Sequence, residues 1–390
     1  MSKKLRVGIL TEYYNSVNYG GNLQAYALVH YLAEHGVYAE QISYDKSQNY
    51  KFSLKERLCK YSLLGFMKKL GQKIFLESIN NIVVKIGTKC HMIEMRKIEE
   101  RNKIISEFNQ KIPHSKKIFN DTTMHECNKI YDVFITGSDQ VWNLMTQKSY
   151  FLTFTKKPKY SYAASISKDS LEHNEIKFFK YVLKNYKGIS VREKETAKML
   201  ATLTGKNVEW VADPVFLLSV DKWKKLSTLR IIKEPYIFCY FLGDAKWHRR
   251  VAMSYAKKKN TKIVTLPYLL GKYRLCDANF GTERLFEIKP EDFISLVRYA
   301  ETVITDSFHA TAFSVIFERN FFVFERPAQF SMGSRIRSLM DITGIEKRYY
   351  MTEKEASYYM LYSDIDDRKI DKKSLEAFIK KSKIFLENII

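Results

Sequence analysis

Apolar residues along this chain come in short blocks divided by polar stretches, and the spacing within each block sets the element it predicts. Leu5–Leu10 is a mostly apolar run of strand length. A polar loop with Asn15, Asn18, Gly20, Gly21 and Asn22 follows it, and then Leu23, Ala27, Leu28, Tyr31 and Leu32 recur at helical spacing. His35-Gly36 stops that helix, and Ala39–Tyr44 reads as a second strand. The chain therefore opens with a βαβ unit, a right-handed parallel pair.

From Lys51 to about Phe108 the period becomes helical, with Leu54, Leu58, Tyr61, Leu64, Met67 and Leu70 on one face. Between Lys51 and Phe75 there are seven Lys or Arg and one acidic residue. This predicts a helical insertion over about 50–110, whose basic amphipathic face either covers the sheet or docks on an anionic membrane. Strand-length runs then recur at Val133–Thr136, Tyr160–Ala164, Gly188–Arg192 and Val208–Val211. Helix Asp221–Leu229 leads to a charged connector at Lys233–Pro235, and Tyr236–Leu242 begins a second series. That series holds strands Lys262–Leu266, Thr302–Thr305 and Phe321–Glu325 and helices Glu291–Tyr299 and Ala310–Phe317, and Lys372–Ile390 reads as an amphipathic tail helix. The pattern predicts an α/β protein of two Rossmann-like domains facing a cleft, 1–228 and 229–365, followed by a tail helix over 366–390.

Composition narrows the class. At ~150 residues per domain, 390 residues hold two or three domains; 45% hydrophobic and 28% charged residues, with only 15 Gly and 7 Pro, exclude disordered and collagen-like chains. The five cysteines form no CxxC pair, so a reducing compartment is expected, with each thiol a small buried apolar group. The basic stretch Met1–Arg6 is followed by too short an apolar run for a secretory signal, and no run reaches the ~18 apolar residues of a membrane span, so the expected location is cytoplasmic. The net charge of +22 favours anionic partners in general, or reflects a Lys-rich solvated surface. The cations are scattered and no recognised nucleic-acid motif appears, so nucleic acid is not an expected partner and a non-catalytic polyanion binder ranks last. No HxxxH or His/Cys cluster has ligand spacing, so no metal and no resident cofactor are expected.

Chemistry-bearing residues concentrate just after predicted strands, where open α/β sheets place ligands. Asn18-Tyr19-Gly20-Gly21-Asn22-Leu23-Gln24 is a glycine turn opening a helix; its backbone N–H groups suit an anion or a sugar hydroxyl, or it is simply a tight turn. Gly137-Ser138-Asp139-Gln140-Val141-Trp142-Asn143 sets an indole among polar side chains, a combination suited to stacking on a sugar, while Asp139 would serve equally as a helix cap. Arg192 ends a strand and offers a guanidinium fork for carboxylate or phosphate, or a surface pairing with Glu193 or Glu195. Asp213, before Pro214, reads as a turn residue. Asp306-Ser307-Phe308-His309 leads from a buried strand into an apolar helix, which aims the imidazole at the cleft as an anion donor or proton carrier. Arg335 and Arg337 supply two further cations, as an anion clamp or an exposed basic face.

Taken in order, NYGGNLQAYAL, GSDQVWN, SVREKE, ADPVFLL, TDSFHATAFSVIF and RIRSL resemble the polysaccharide pyruvyl transferase family over nearly the whole chain. The resemblance implies a GT-B-like fold and transfer of the enolpyruvyl unit of phosphoenolpyruvate to hydroxyls of a glycan or lipid-linked sugar, giving a pyruvate ketal and phosphate. By position it implies Arg192 as the donor-binding arginine and His309 as its histidine partner and catalyst. It further implies Asn18–Gln24 and Gly137–Asn143 on the acceptor, a first half on the acceptor side and a second half on the donor side. Where relatives carry Arg-Leu-His this chain has Ser307-Phe308-His309, so one donor contact is either missing or supplied by Arg335 or Arg337; where several carry an acid in the glycine turn it has Gly21, which leaves Glu12 or Asp139 as base. A GT-B glycosyltransferase using a nucleotide sugar is the alternative expectation.

Overall fold

A computed structural model describes residues 5–46, 84–143, 148–166, 170–269, 271–326, 333–362 and 369–389. The basic stretch Lys51–Phe75 lies outside the described residues. The first sheet holds β1 (Arg6–Leu10), β2 (Tyr38–Gln41), β3 (Val133–Thr136) and β4 (Lys159–Ser161) in the order β2-β1-β3-β4. Next to β4 lies the pair β5 (Ile189–Val191) and β6 (Val208–Trp210), joined to the β4 segment through bridges Tyr160 to Gly188 and Ala164 to Val191. The second sheet holds β7 (Tyr236–Tyr240), β8 (Lys262–Thr265), β9 (Glu283–Arg284), β10 (Thr302–Thr305), β11 (Asn320–Phe324) and β12 (Tyr349–Tyr350) in the order β12-β11-β10-β7-β8-β9. Every registered pair is parallel. Parallel strands need helices on both faces, which is why β3 and β10 are buried at all positions.

The helices are α1 (Tyr19–Glu34), α2 (Met92–Phe108), α3 (His173–Leu183), α4 (Lys194–Thr204), α5 (Val220–Leu226), α6 (Lys246–Lys259), α7 (Pro290–Tyr299), α8 (Phe308–Ile316), α9 (Ser334–Thr343), α10 (Glu353–Ser357) and α11 (Lys372–Glu387). Most strand and helix expectations hold within a few residues. Asp221–Leu229 shortens to α5 because the backbone turns extended at Ser227, and the expected strand Tyr160–Ala164 narrows to β4, with Ala163 beyond its end at a positive φ.

Two helices tie the sheets together. The α1 sequence lacks a polar face at its start, and the structure buries Tyr19 to Ala25 because both halves flank it. Tyr19 stacks on Phe293 of α7 at 5.3 Å and its hydroxyl donates to the Ile288 carbonyl at 2.8 Å. One apolar cluster accordingly runs from Val7 and Leu28 in the first half to Phe293, Val303 and Phe313 in the second. On α2, the buried Arg101 guanidinium donates 2.8 Å bonds to the carbonyls of Pro267 and Tyr268, so the insertion is clamped to the second half.

The tail helix α11 packs on α9 and returns to the first sheet. Phe378 lies against Trp210, and Ser382 Oγ accepts a 2.8 Å bond from the Ala212 N–H. Of the cysteines, Cys127 and Cys239 are buried as expected, whereas Cys90 is exposed and Cys276 half-buried. Cys90 sits on the exposed side of the helical segment before α2. Among the described residues no helix is long and apolar enough to cross a membrane.

Candidate active site

The carboxyl ends of strands from both sheets converge on one crevice. After β3 the chain turns through Gly137, at φ +121°, where any Cβ would stand 2.0 Å from the Tyr162 carbonyl oxygen; only glycine passes, and the turn delivers Ser138 and Asp139. The ends of β5 and β6 deliver Arg192 and Asp213. From the second sheet, β10 runs through Asp306 and the N-cap Ser307 into α8, placing His309 in its first turn. Arg335 enters from the first turn of α9.

Asp213 is the hub. Its Oδ2 accepts from Arg192 Nη1 at 2.6 Å and from Ser138 Oγ at 2.8 Å, and lies 3.7 Å from His309 Nε2. Its Oδ1 accepts from the Val215 N–H at 3.1 Å, which fixes the carboxylate on its own turn. The Arg192 guanidinium also stands over the Phe308 ring, 4.5 Å from its centre. A second carboxylate, Asp139, lies 3.6 Å from Arg192 Nη2 and 3.9 Å from Arg335 Nη1. All five charged or titratable groups are close to fully buried, the most accessible side chain, Asp139, being 11% exposed. Yet Arg192 Nε and Nη2 and His309 Nε2 make no hydrogen bond. Buried polar nitrogens of this kind are ordinarily satisfied, so these three are open positions in the cluster: two guanidinium donors and one imidazole nitrogen.

Burial sets the protonation states. It pushes the His309 imidazole below its ordinary pKa, with Arg192 and Arg335 adding to the effect, and the carboxylates of Asp213 and Asp139 do not fully reverse it. Burial alone would raise Asp139, but Arg192, His309 and Arg335 hold it below the usual carboxylate range. Burial and the neighbouring Arg192 bring Arg335 down to about 10, which leaves it protonated at neutral pH. Glu193, hydrogen-bonded by Ser165 Oγ, is pushed up by burial despite Arg192. A small hollow adjoins the cluster, walled by Arg192, Asp213, Phe308, Arg335, Trp210 and Phe378.

The structure brings Arg192, His309, Asp139, Ser138 and Arg335 together as candidates and reassigns several others. Trp142 is no sugar platform: it is fully buried, parallel to Phe151 and edge-on to Phe179 and Tyr186, because the turn after β3 folds its indole into the core. The glycine turn offers no free N–H cradle at its first positions, since Asn18 Oδ1 accepts from the Gly20 and Gly21 N–H groups. Asn22 and Gln24 point inward, to the Ser16 carbonyl and to Thr11 Oγ1 and the Gly21 carbonyl. What Gly20 supplies is closeness, for a Cβ there would lie 2.1 Å from His309 Nδ1. Gly21 faces Asp139, 3.5 Å from its Oδ2 to an ideal Cβ. Asp306 and Ser307 hold backbone rather than ligand: Asp306 accepts from the Leu242 and Gly243 N–H groups, and Ser307 caps α8. Arg337 points away to Glu325 at 3.5 Å and is 40% exposed, two residues on from Arg335 and so on the other side of α9. Gln140 contributes its backbone N–H to the Asp139 carboxylate.

Asp213 is the turn residue its sequence predicts; the same Asp-Pro geometry that caps the turn also aims the second oxygen into the cleft. Its signal was its place at a strand end, shared with Arg192. The surface pairing of Arg192 with Glu193 or Glu195 is replaced by its burial against Asp213. Among the described residues no group of three or more His, Cys, Asp or Glu has the geometry to hold a metal ion.

Two parallel-stranded halves, bound by a returning tail helix and meeting over a cluster of buried arginines and carboxylates, define a GT-B fold. The fold is similar to that of solved UDP-GlcNAc 2-epimerases. The Methanocaldococcus jannaschii enzyme has a TM-score of 0.54 and 9% identity, with 99% of this chain and 100% of that one covered. The Neisseria meningitidis enzyme bound to UDP-GlcNAc has a TM-score of 0.53 and 9% identity, with 99% of each chain covered. For the S. aureus MnaA structure with UDP the values are 0.55 and 11%, with 100% and 98% covered. No curated protein is similar enough to match the chain. Residues 18–327 match the model of the polysaccharide pyruvyl transferase family, and the chain belongs to that family.

Proposed function

We propose that this enzyme transfers the enolpyruvyl unit of phosphoenolpyruvate to two hydroxyls of a sugar in a surface polysaccharide or its lipid-linked precursor, forming a pyruvate ketal. The observation that carries this reading is the buried pair Arg192 and His309, both facing Asp213 and both with nitrogens that make no hydrogen bond. Phosphoenolpyruvate presents a carboxylate and a phosphate, which the Arg192 fork, Arg335 and His309 suit. His309 protonates the methylene carbon, a sugar hydroxyl oxygen bonds to C2, and phosphate leaves with the electron pair of its C–O bond. A second hydroxyl then adds to C2 and gives up its proton, closing the ketal. The donor sits between the halves, since Arg192 comes from the first half and Arg335 and His309 from the second.

The acceptor fits the first sheet, over the crevice between β1 and β3 where the strand order reverses. Glu12 stands there beside Asp139; burial raises its carboxyl despite Lys46, 2.8 Å away, which suits it to take a hydroxyl proton. The equivalent crevice of the second sheet, between β7 and β10, is filled. Asp306 takes the Leu242 and Gly243 N–H groups, while Arg249 and Arg274 take the carbonyls of Phe241, Leu242 and Gly243. That filling disfavours a nucleotide sugar. The test is phosphate release from phosphoenolpyruvate against a panel of lipid-linked and nucleotide-linked sugars. Release dependent on one sugar supports the proposal; none, with thermal stabilisation by UDP-sugars instead, overturns it.

A further inference from the structure

The charges around His309 do not suit a multiply charged anion as they stand. From the elements packed round it, the imidazole is faced by Asp213 after β6, Asp139 after β3, Arg192 after β5 and Arg335 on α9. The α1 residue against its ring is Gly20, which carries no charge. Two guanidinia are thus already answered by two carboxylates, and Glu193, facing both arginines, adds no positive charge. With a neutral imidazole the buried cluster has no net positive charge to offer. A dianion or trianion entering so enclosed a space carries a large desolvation cost unless charge is compensated.

We propose that phosphoenolpyruvate binds together with one proton, taken up at His309, and that Asp213 is the positioning residue that holds this proton's charge in place. The geometry supports it: His309 Nε2 makes no hydrogen bond and stands 3.7 Å from Asp213 Oδ2, on the side shared with Arg192 Nη1. An anionic oxygen arriving beside Nε2 raises the proton affinity of the ring, in the direction opposite to the lowering by burial. Binding therefore charges the acid that the chemistry needs, and the free enzyme keeps it neutral. This rests on the pyruvyl-transfer reading for the identity of the anion.

Titration calorimetry of the whole protein with phosphoenolpyruvate, and with inorganic phosphate as a simpler probe, in buffers of different ionisation enthalpy measures the proton directly. The expected result is uptake of about one proton per anion, with a Kd that weakens about tenfold per pH unit above neutrality. His309→Gln should bind with a Kd that no longer depends on pH and with no uptake. Asp213→Asn should bind the anion at alkaline pH at least as tightly as the parent, with less uptake, while transfer falls; a merely structural residue would lose both. Binding by the parent without proton uptake, uptake undiminished in His309→Gln, or failure of the parent to bind either anion would each overturn the proposal. Normal uptake with no transfer to any sugar would instead reject pyruvyl transfer and leave the coupling standing.

Discussion

Gly20 and His309, from opposite halves of the chain, touch backbone to ring, so closely that a Cβ on Gly20 would stand 2.1 Å from Nδ1 and 2.3 Å from Cγ. The first turn of α1 is therefore the wall that sets the imidazole's position against Asp213. Gly20→Ala gains helix propensity, by up to ~1 kcal/mol, but must displace the ring. Transfer is expected to fall on the order of a hundredfold while the protein stays folded, because a displaced acid loses its reacting geometry. Phosphate release and a thermal melt together check this; an active Gly20→Ala enzyme would show that the contact is not functional.

Arg192→Lys keeps a charge near Asp213 but loses the planar fork, and with it the Nε and Nη2 donors that make no hydrogen bond within the protein. The KM for phosphoenolpyruvate should rise by roughly tenfold or more, corresponding to ~1.4 kcal/mol or more. Arg192→Ala is a harsher change, since it leaves Asp213 buried without its main partner, and should destabilise the fold by ~3–5 kcal/mol. Initial-rate kinetics on the first variant and chemical denaturation of the second separate the two effects.

Trp142→Phe tests a correction. The indole packs among Phe151, Phe179 and Tyr186, with no exposed surface. The expected cost is ~1–3 kcal/mol of stability, with acceptor KM unchanged. A raised acceptor KM in a fully folded variant would return the residue to the binding surface.

Most of the architecture was legible because parallel strands buried on both faces leave short, continuous apolar runs, such as Val133–Thr136 and Thr302–Thr305, that helices with a clear period separate. The edge strands Glu283–Arg284 and Tyr349–Tyr350 were not, because two residues make no pattern. Arg192 and His309 were legible by their places after strands. Trp142 misled because an aromatic residue among polar ones looks the same whether its loop faces a ligand or folds inward. Asp213 was hidden behind its own turn chemistry: capping and ion pairing use different oxygens of one carboxylate, and sequence displays only the first.

Asp306 gives a pH prediction. Burial alone would raise its carboxyl, but His248 at 3.6 Å, Arg326 and the Leu242 N–H bring it to about 2, from an ordinary 3.8. The folded value lies below the unfolded one, so the stabilisation is complete above about pH 4 and is lost as pH falls toward 2. It amounts to ~2 kcal/mol. Denaturation of the parent and of Asp306→Asn should differ by at least this amount near neutrality, and the gap should narrow as the solution is acidified through pH 4. A gap independent of pH would mean that the carboxylate's charge contributes nothing.

The bond from the Ala212 N–H to Ser382 Oγ closes a loop of 170 residues, next to the residue that holds Arg192 and His309. Contacts so distant along the chain form only after each half has acquired its own sheet, since closing long loops is entropically unfavourable until neighbouring structure is in place. The cluster around Asp213 is thus expected to assemble late in folding and to be lost first in partial denaturation. In mild denaturant, activity should disappear while the helical signal of the two halves persists, a gap set by topology rather than by any single interaction.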